Sequence, residues 1–302
     1  MAPRSVRHIV TPDPAAARRL PRRPASALAE RWTSIDGVDV FYRESPGQPA
    51  ARAMLHLHGF GLSGRYLLPT AELLRDDFHT LVPDLPGFGR SGRAPDALDV
   101  TGLADAAVRF LDNRDIATAT LVGNSMGCPV IWELAHRHPE RVDRAVLVSP
   151  AGGVHNQPLA RAIRQLARDG TREKAKLMQV AAPDYIRFGI PSTRRLFQAL
   201  TSYPMVERLH ELSVPTLAVI GSRDPLMPGP ARVKELSRQT DHRVQLVVIE
   251  GAAHAINFSH PEELANVIRL FMADRPIVDD PSARGVARAF EVYRGKLLPP
   301  RR

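Results

Sequence analysis

The sequence predicts an α/β protein: a mostly parallel sheet with helices on both faces and a small helical cap. Three observations predict it. Short apolar stretches recur without the alternation of a half-solvated strand, so both of their faces are buried. Helical stretches separate them, which is the rhythm of strand–helix–strand units and a parallel sheet. Residues 152–212 break that rhythm with helical spacing and no good strand.

The elements follow in order. Residues 1–31 are rich in Pro, Ala and Arg without apolar periodicity and read as a flexible basic arm. Order is expected to begin at Trp32, where Trp32–Ile35, Asp36-Gly37 and Val38–Tyr42 spell a hairpin with a tight turn. Ala53–Leu57 reads as a strand, Tyr66–Arg75 as a helix and Thr80–Val82 as a strand. Val100–Asp112 is a helix with Leu103, Ala107, Phe110 and Leu111 on one face. Thr118–Val122 is a strand leading into a helix from Met126 to His138, stopped by Pro139, and Arg144–Val148 is a strand. Helical stretches are expected at Pro158–Asp169, Thr171–Val180 and Ser192–Thr201. Strands at Thr216–Ile220 and Val244–Ile249 flank a helix near Ala231–Arg238, and Pro261–Met272 is a further helix. The expected organisation is therefore a core of 32–151 and 213–274, a helical cap insertion at 152–212, and a basic tail at 275–302 with a weak helical stretch near Ala283–Tyr293. An insertion at that point of such a sheet sits over the strands' carboxyl ends, where ligands bind.

Composition narrows the function. The 302 residues are 44% apolar and 24% charged, an ordinary globular balance that excludes disorder over the whole length. No run of about 18 apolar residues suggests a membrane span. The net charge of +9 sits on the ends: residues 1–31 carry +5 and 275–302 carry +4, leaving 27 basic and 27 acidic groups between them. A specific nucleic-acid partner is therefore not expected, although basic tails attract anionic surfaces weakly. A single cysteine, Cys128, makes neither an internal disulfide nor a metal site, and no complete export signal is present. The expected location is cytoplasmic.

The chemistry starts at Gly123-Asn124-Ser125-Met126-Gly127, which fits G-x-S-x-G between a buried strand and a helix. There the serine occupies a strained turn at a helix N-terminus, and the flanking glycines let backbone approach closely. A serine hydroxyl needs a base to take its proton, and the base needs an orienting acid. His254 follows the last apolar strand and Asp224 follows the strand before it. The loop after Val148 reads Ser149-Pro150-Ala151-Gly152 and offers no carboxylate, which favours Asp224. The third element is His58-Gly59-Phe60-Gly61, after the strand ending at Leu57. An acyl-transfer intermediate carries a full charge on oxygen, and the expected donors to it are the backbone N–H groups of Met126 and of Phe60, with Gly61 as the fallback for Phe60. Asn124, Gly59 and Gly61 are expected to border the substrate. His58 reads as a loop brace, and His56 and Cys128 as core residues. Met178, Tyr185, Ile186, Phe188 and Phe197 are expected under the cap, with Arg187, Arg194 and Arg195 on its solvated face. No G-x-x-x-x-G-K-S/T loop, no G-x-G-x-x-G after the first strand and no spaced metal-ligand set occurs, so neither cofactor nor metal is expected.

These motifs, with Pro83–Ser91 between them, resemble the α/β-hydrolase superfamily over about residues 32–274. The resemblance implies a Ser125–His254–Asp224 triad, with Asp84 structural, and a carboxylic ester, thioester or lactone with an apolar acyl part as substrate. Relatives that open epoxides or displace halide use an aspartate where this chain has Ser125, so those chemistries are not expected. Asn124 beside Ser125 is similar to C–C hydrolases of aromatic ring-fission products, which usually carry tryptophan where this chain has Ala255. That activity is the first alternative, and a non-catalytic binding protein is the second. With His254 as base, activity should fall below pH of about 6–7. Oligomeric state has no sequence signature here.

Overall fold

Six short, mostly apolar and mostly buried strands lie side by side at the centre of the molecule. The computed structural model describes residues 28–46, 51–95, 98–173, 175–188, 190–229, 232, 235, 243–277 and 290–294. The strands are β1 (Ala29–Ile35), β2 (Val38–Glu44), β3 (Ala53–Leu57), β4 (His79–Pro83), β5 (Ala119–Asn124), β6 (Val142–Val148), β7 (Thr216–Gly221), β8 (Val244–Ile249) and β9 (Phe290–Arg294). They form one sheet in the order β1-β2-β4-β3-β5-β6-β7-β8-β9. Pairing is parallel from β4 through β8, while β1, β2 and β9 run antiparallel at the edges.

The longer helices among the described residues are α1 (Leu68–Leu74), α2 (Val100–Asp112), α3 (Gly127–Arg137), α4 (Leu159–Gly170), α5 (Ala175–Phe188), α6 (Ile190–Ser202) and α7 (Pro261–Met272). Successive strand residues point to opposite faces, and here both faces are covered. Leu55, Leu121, Leu147 and Ala218 join one cluster with Leu103, Phe110 and Trp132 from α2 and α3. Met54, Val122, Val146 and Val219 join another with Leu74, Leu264 and Phe271 from α1 and α7. This explains the absence of alternation in the strands. Local signals agree with the packing: the Asp99 side chain caps α2 by accepting from the Gly102 N–H at 2.8 Å, worth about 1 kcal/mol.

The pairing register levels the carboxyl ends of the strands. Leu57 sits opposite Gly123, Asn124 opposite Val148, and Gly221 opposite Ile249. Strand order reverses at β3, which lies between β4 and β5, so the loops after β3 and β5 face each other across the crevice of a doubly wound sheet. Helices α4, α5 and α6 all lie between β6 and β7 in sequence.

Three expectations change. The first strand begins at Ala29 rather than Trp32, because Glu30 and Arg31 continue the ladder opposite Arg43 and Tyr42. The helix expected at Thr171–Val180 begins at Ala175 and continues through Pro183 to Phe188. The helix expected near Ala283–Tyr293 is replaced over its described part by β9, which pairs with β8 from Phe290↔Ile249 to Arg294↔Gln245. The β-branched and aromatic run Phe-Glu-Val-Tyr meets an open sheet edge there, and edge pairing outweighs a weak helical period. Residues 1–27 of the basic arm, most of the Ala231–Arg238 helix, and residues 278–289 and 295–302 of the tail lie outside the described residues. No helix among the described residues is long and apolar enough to cross a membrane.

Candidate active site

The loops after β3, β5, β7 and β8 meet at one rim of the sheet. Ser125 follows β5 in the left-handed region, at φ 54°. That conformation strains a residue with a side chain by about 1 kcal/mol or more, and close packing enforces it. A Cβ on Gly123 would lie 2.6 Å from the Gly127 backbone, and one on Gly127 would lie 2.4 Å from the Leu57 carbonyl oxygen. Strand and helix can close the turn only because both positions lack a side chain. The Ser125 N–H donates to the Val148 carbonyl at 3.0 Å, pinning the turn to β6.

His254 and Asp224 are joined directly. Nδ1 of His254 donates to Oδ2 of Asp224 at 2.8 Å, and the Leu226 N–H donates to Oδ1 at 2.8 Å. The Asp224 side chain is fully buried. Because the aspartate accepts at Nδ1, that nitrogen carries the hydrogen and Nε2 is left as the basic atom of the neutral ring. Burial works against a charge on His254, yet the Asp224 carboxylate and its hydrogen bond, helped by Asp169 and Glu173, outweigh burial and raise the imidazole to about 9.

The loop after β3 has its own brace. The Leu85 N–H donates to Nε2 of His58 at 2.9 Å, so Nδ1 holds the hydrogen and donates to the Gly59 carbonyl at 2.9 Å. Burial lowers the proton affinity of this histidine, consistent with a neutral ring. In a trans peptide C=O and N–H point opposite ways, so drawing the Gly59 carbonyl towards His58 turns the Phe60 N–H away from it. Among the described residues neither the Phe60 nor the Met126 amide has a backbone acceptor. Asp84 lies beneath, accepting from the Gly64 and Arg90 N–H groups at 2.9 Å each and from Arg43 at 3.4 Å. That is the structural place expected of it.

A cavity of about 300 Å³ opens at this rim, and Gly59, Phe60, Asn124, Ser125 and His254 all line it. Asn124 is at the wall, but its amide is fully engaged by protein. Its Oδ1 accepts from the Tyr66 hydroxyl at 2.7 Å, and its Nδ2 donates to the carbonyls of Val148 and His254 at 3.2 and 3.1 Å. The Tyr66 hydroxyl in turn accepts from the Gly59 N–H at 2.7 Å. One buried chain, Gly59–Tyr66–Asn124–His254, thus ties three of the loops together. Tyr66 carried no motif, and sequence reading placed it only at the start of a helix. Gly61 is against the ring of Tyr185, 2.6 Å from where its Cβ would stand, and is not among the cavity-lining residues.

Residues of α4, α5 and α6 line the cavity as well. Met178, Tyr185 and Phe197 line it as expected. Phe188 is buried beneath α5, stacked on Phe88 with centroids 4.7 Å apart and edge-on to Phe60 at 5.2 Å, whereas Ile186 is 82% exposed and is not on the underside. Arg187 is exposed, and no arginine among the described residues lines the cavity. The side chains of Arg194 and Arg195 lie outside the described residues. Three acids of the insertion, none of them singled out in the sequence, bond to the loops below. Asp184 accepts from the Ser63 N–H at 2.9 Å and hydroxyl at 2.6 Å. Asp169 accepts from the His254 N–H at 3.1 Å, and Glu173 from the Ala255 N–H at 2.6 Å. An isolated acid on a helical stretch looks like a solvated face, and only the fold shows what it reaches. Cys128 and His56 are buried in the core, and among the described residues no three metal-ligating side chains gather.

Comparison with known proteins agrees with this architecture. A family model described as "Alpha/beta hydrolase family" matches residues 54–267. A poly(3-hydroxyalkanoate) depolymerase of Ectopseudomonas oleovorans is 25% identical over 219 residues, covering 66% of this chain and 77% of its own. A pimeloyl-(acyl-carrier protein) methyl ester esterase of Neisseria meningitidis is 26% identical over 265 residues, covering 79% and 81%. The crystal structure of a membrane phospholipase A, described as a bacterial virulence factor, superposes with a TM-score of 0.65 at 26% identity, covering 82% and 87%.

Proposed function

The chain belongs to the alpha/beta hydrolase family and is a hydrolase of that fold; from that premise we propose that it cleaves a small to medium carboxylic ester, thioester or lactone through an acyl-enzyme on Ser125. The observation that carries the reading is the shared cavity: Ser125, held in a strained turn, and His254, bonded to Asp224, line the same space. Ser125 Oγ attacks the carbonyl carbon while Nε2 of His254 takes its proton. The oxygen becomes an alkoxide facing the Phe60 and Met126 N–H groups, each worth about 2.7–4 kcal/mol in such a role. The C–O bond then breaks, and the alcohol leaves with the proton from Nε2. Water, deprotonated by the same nitrogen, releases the acid and restores the serine. Asp224 fixes the tautomer and stabilises the imidazolium. Residues 152–212 act as a cap, with Met178 and Phe197 supporting an apolar acyl part.

The C–C hydrolase alternative is weaker. Its dienoate substrates carry a carboxylate, whereas the acids lining the cavity are Asp169 and Glu173, with no lysine or arginine lining it among the described residues. One of the relatives above, the pimeloyl-(acyl-carrier protein) methyl ester esterase, is named for ester cleavage. The test is turnover of p-nitrophenyl esters by the wild type and Ser125→Ala. A loss of roughly a thousandfold or more is expected, and full turnover by the variant would overturn the proposal. In the same screen a neutral ester should far outpace a dienoate; the reverse order would favour C–C cleavage.

A further inference from the structure

The cap and the histidine loop are joined by two hydrogen bonds that span more than eighty residues of sequence. Asp169, at the end of α4, takes the backbone N–H of His254, and Glu173, just before α5, takes the N–H of the next residue. Both acids also line the cavity. Asp169 is buried, and Oε2 of Glu173 is buried without a hydrogen-bond partner. Burying two carboxyl groups beside a third, Asp224, is costly unless they bind something, and what they bind is the peptide that carries the imidazole.

We propose that Asp169 and Glu173 are positioning residues for His254, gripping its loop from the cap and setting, with Asp224, the negative field in which the imidazole takes up a proton. The proposal rests on His254 being the general base. Two consecutive N–H groups held from above, and the His254 carbonyl held from below by Asn124, leave the loop little freedom to rotate. Cap seating and alignment of the base thus become one event. The charged groups around the imidazole come from three places: Asp224 after β7, Asp169 on α4 and Glu173 before α5, with Arg172 acting on Asp169 from the same turn. Ser125 and Tyr66 face the site without charge. Burial raises both cap acids, Glu173 to about 7, so the field of Glu173 on His254 strengthens as pH passes neutrality.

Amide and alanine variants separate grip from charge. Asp169→Asn and Glu173→Gln keep an oxygen for the backbone N–H but remove the charge, whereas Asp169→Ala and Glu173→Ala remove both. The readouts are the pH profile of kcat/KM on a neutral p-nitrophenyl ester and the rate of Ser125 labelling by a fluorophosphonate. In the amide variants the acid limb should move down by about half to one pH unit, a three- to tenfold gain below the limb. The alanine variants should lose more of the plateau, about tenfold, with slower labelling. Acid limbs unmoved in both amide variants, or alanine variants matching the amide ones, would overturn the proposal. A purely structural contact would lower stability without moving the limb, and the two sites are independent should one variant fail to fold. His254→Ala is run alongside. If it retains turnover, the reading of the base fails; if it is inactive and the limbs do not move, only the present inference fails.

Discussion

Hydrolysis of a neutral p-nitrophenyl ester should be slow at pH 7 and climb steeply towards pH 9. The perturbation is pH itself, and the magnitude follows from the surroundings of His254. Burial disfavours its charge, but one bonded carboxylate and two further acids raise it to about 9. A base is useful only when unprotonated. At pH 7 roughly one enzyme in a hundred would then hold a neutral Nε2, and at pH 8 about one in ten. The rate constant kcat/KM should rise about tenfold per pH unit between pH 7 and 8 and level off above about 9. The assay is initial rates from pH 5 to 10.5 at constant ionic strength, with Ser125→Ala subtracted to remove spontaneous alkaline hydrolysis. A limb centred at 6–6.5, or a flat profile from pH 5 to 8, would refute the reasoning. It would mean that burial, not the carboxylates, governs the imidazole.

Other outcomes follow from neighbouring contacts. Tyr66→Phe removes a hydroxyl that joins Gly59 to Asn124; it should lower stability by about 1–3 kcal/mol in urea unfolding and reduce kcat more than it raises KM, because the Phe60 loop loosens. Gly127→Ala drives a Cβ to 2.4 Å from the Leu57 carbonyl oxygen, where backbone cannot yield cheaply, and should cost about 3 kcal/mol; a midpoint equal to the wild type would contradict the packing argument. His56 is fully buried, neither of its ring nitrogens has a hydrogen-bond partner among the described residues, and burial lowers it to about 3. The unfolded chain takes up this proton first, so stability is lost as pH falls below about 6.5, by about 2 kcal/mol between pH 7 and 5. His56→Leu should remove that part of the acid sensitivity, and an unchanged slope would contradict it.

Much of this was legible in the sequence because the fold writes its core in short words. Strands buried on both faces cannot alternate, so Ala53–Leu57, Thr118–Val122 and Val244–Ile249 stood out as apolar runs, and the residue after each run fell at the rim. The turn at Ser125 was legible for a steric reason: only glycine fits at 123 and 127. The supporting contacts were hidden because they depend on distance in space. Tyr66 reaches Asn124 across 58 residues, and Glu173 reaches Ala255 across 82; no local period marks such partners. The edge strand Phe290–Arg294 was hidden for a related reason, since its neighbour β8 supplies the ladder that its own sequence only suggests. The pH expectation shifted because it used an isolated imidazole, while the folded one faces three acids.

Mass spectrometry of the protein after treatment with a fluorophosphonate ester probes the nucleophile at Ser125 without assuming a substrate. A single adduct on the peptide containing Ser125, absent in Ser125→Ala and greatly slowed in His254→Ala, is the predicted result. An intact protein left unlabelled at pH 9, or an adduct carried by another residue, would contradict the assignment of that serine and everything built on it.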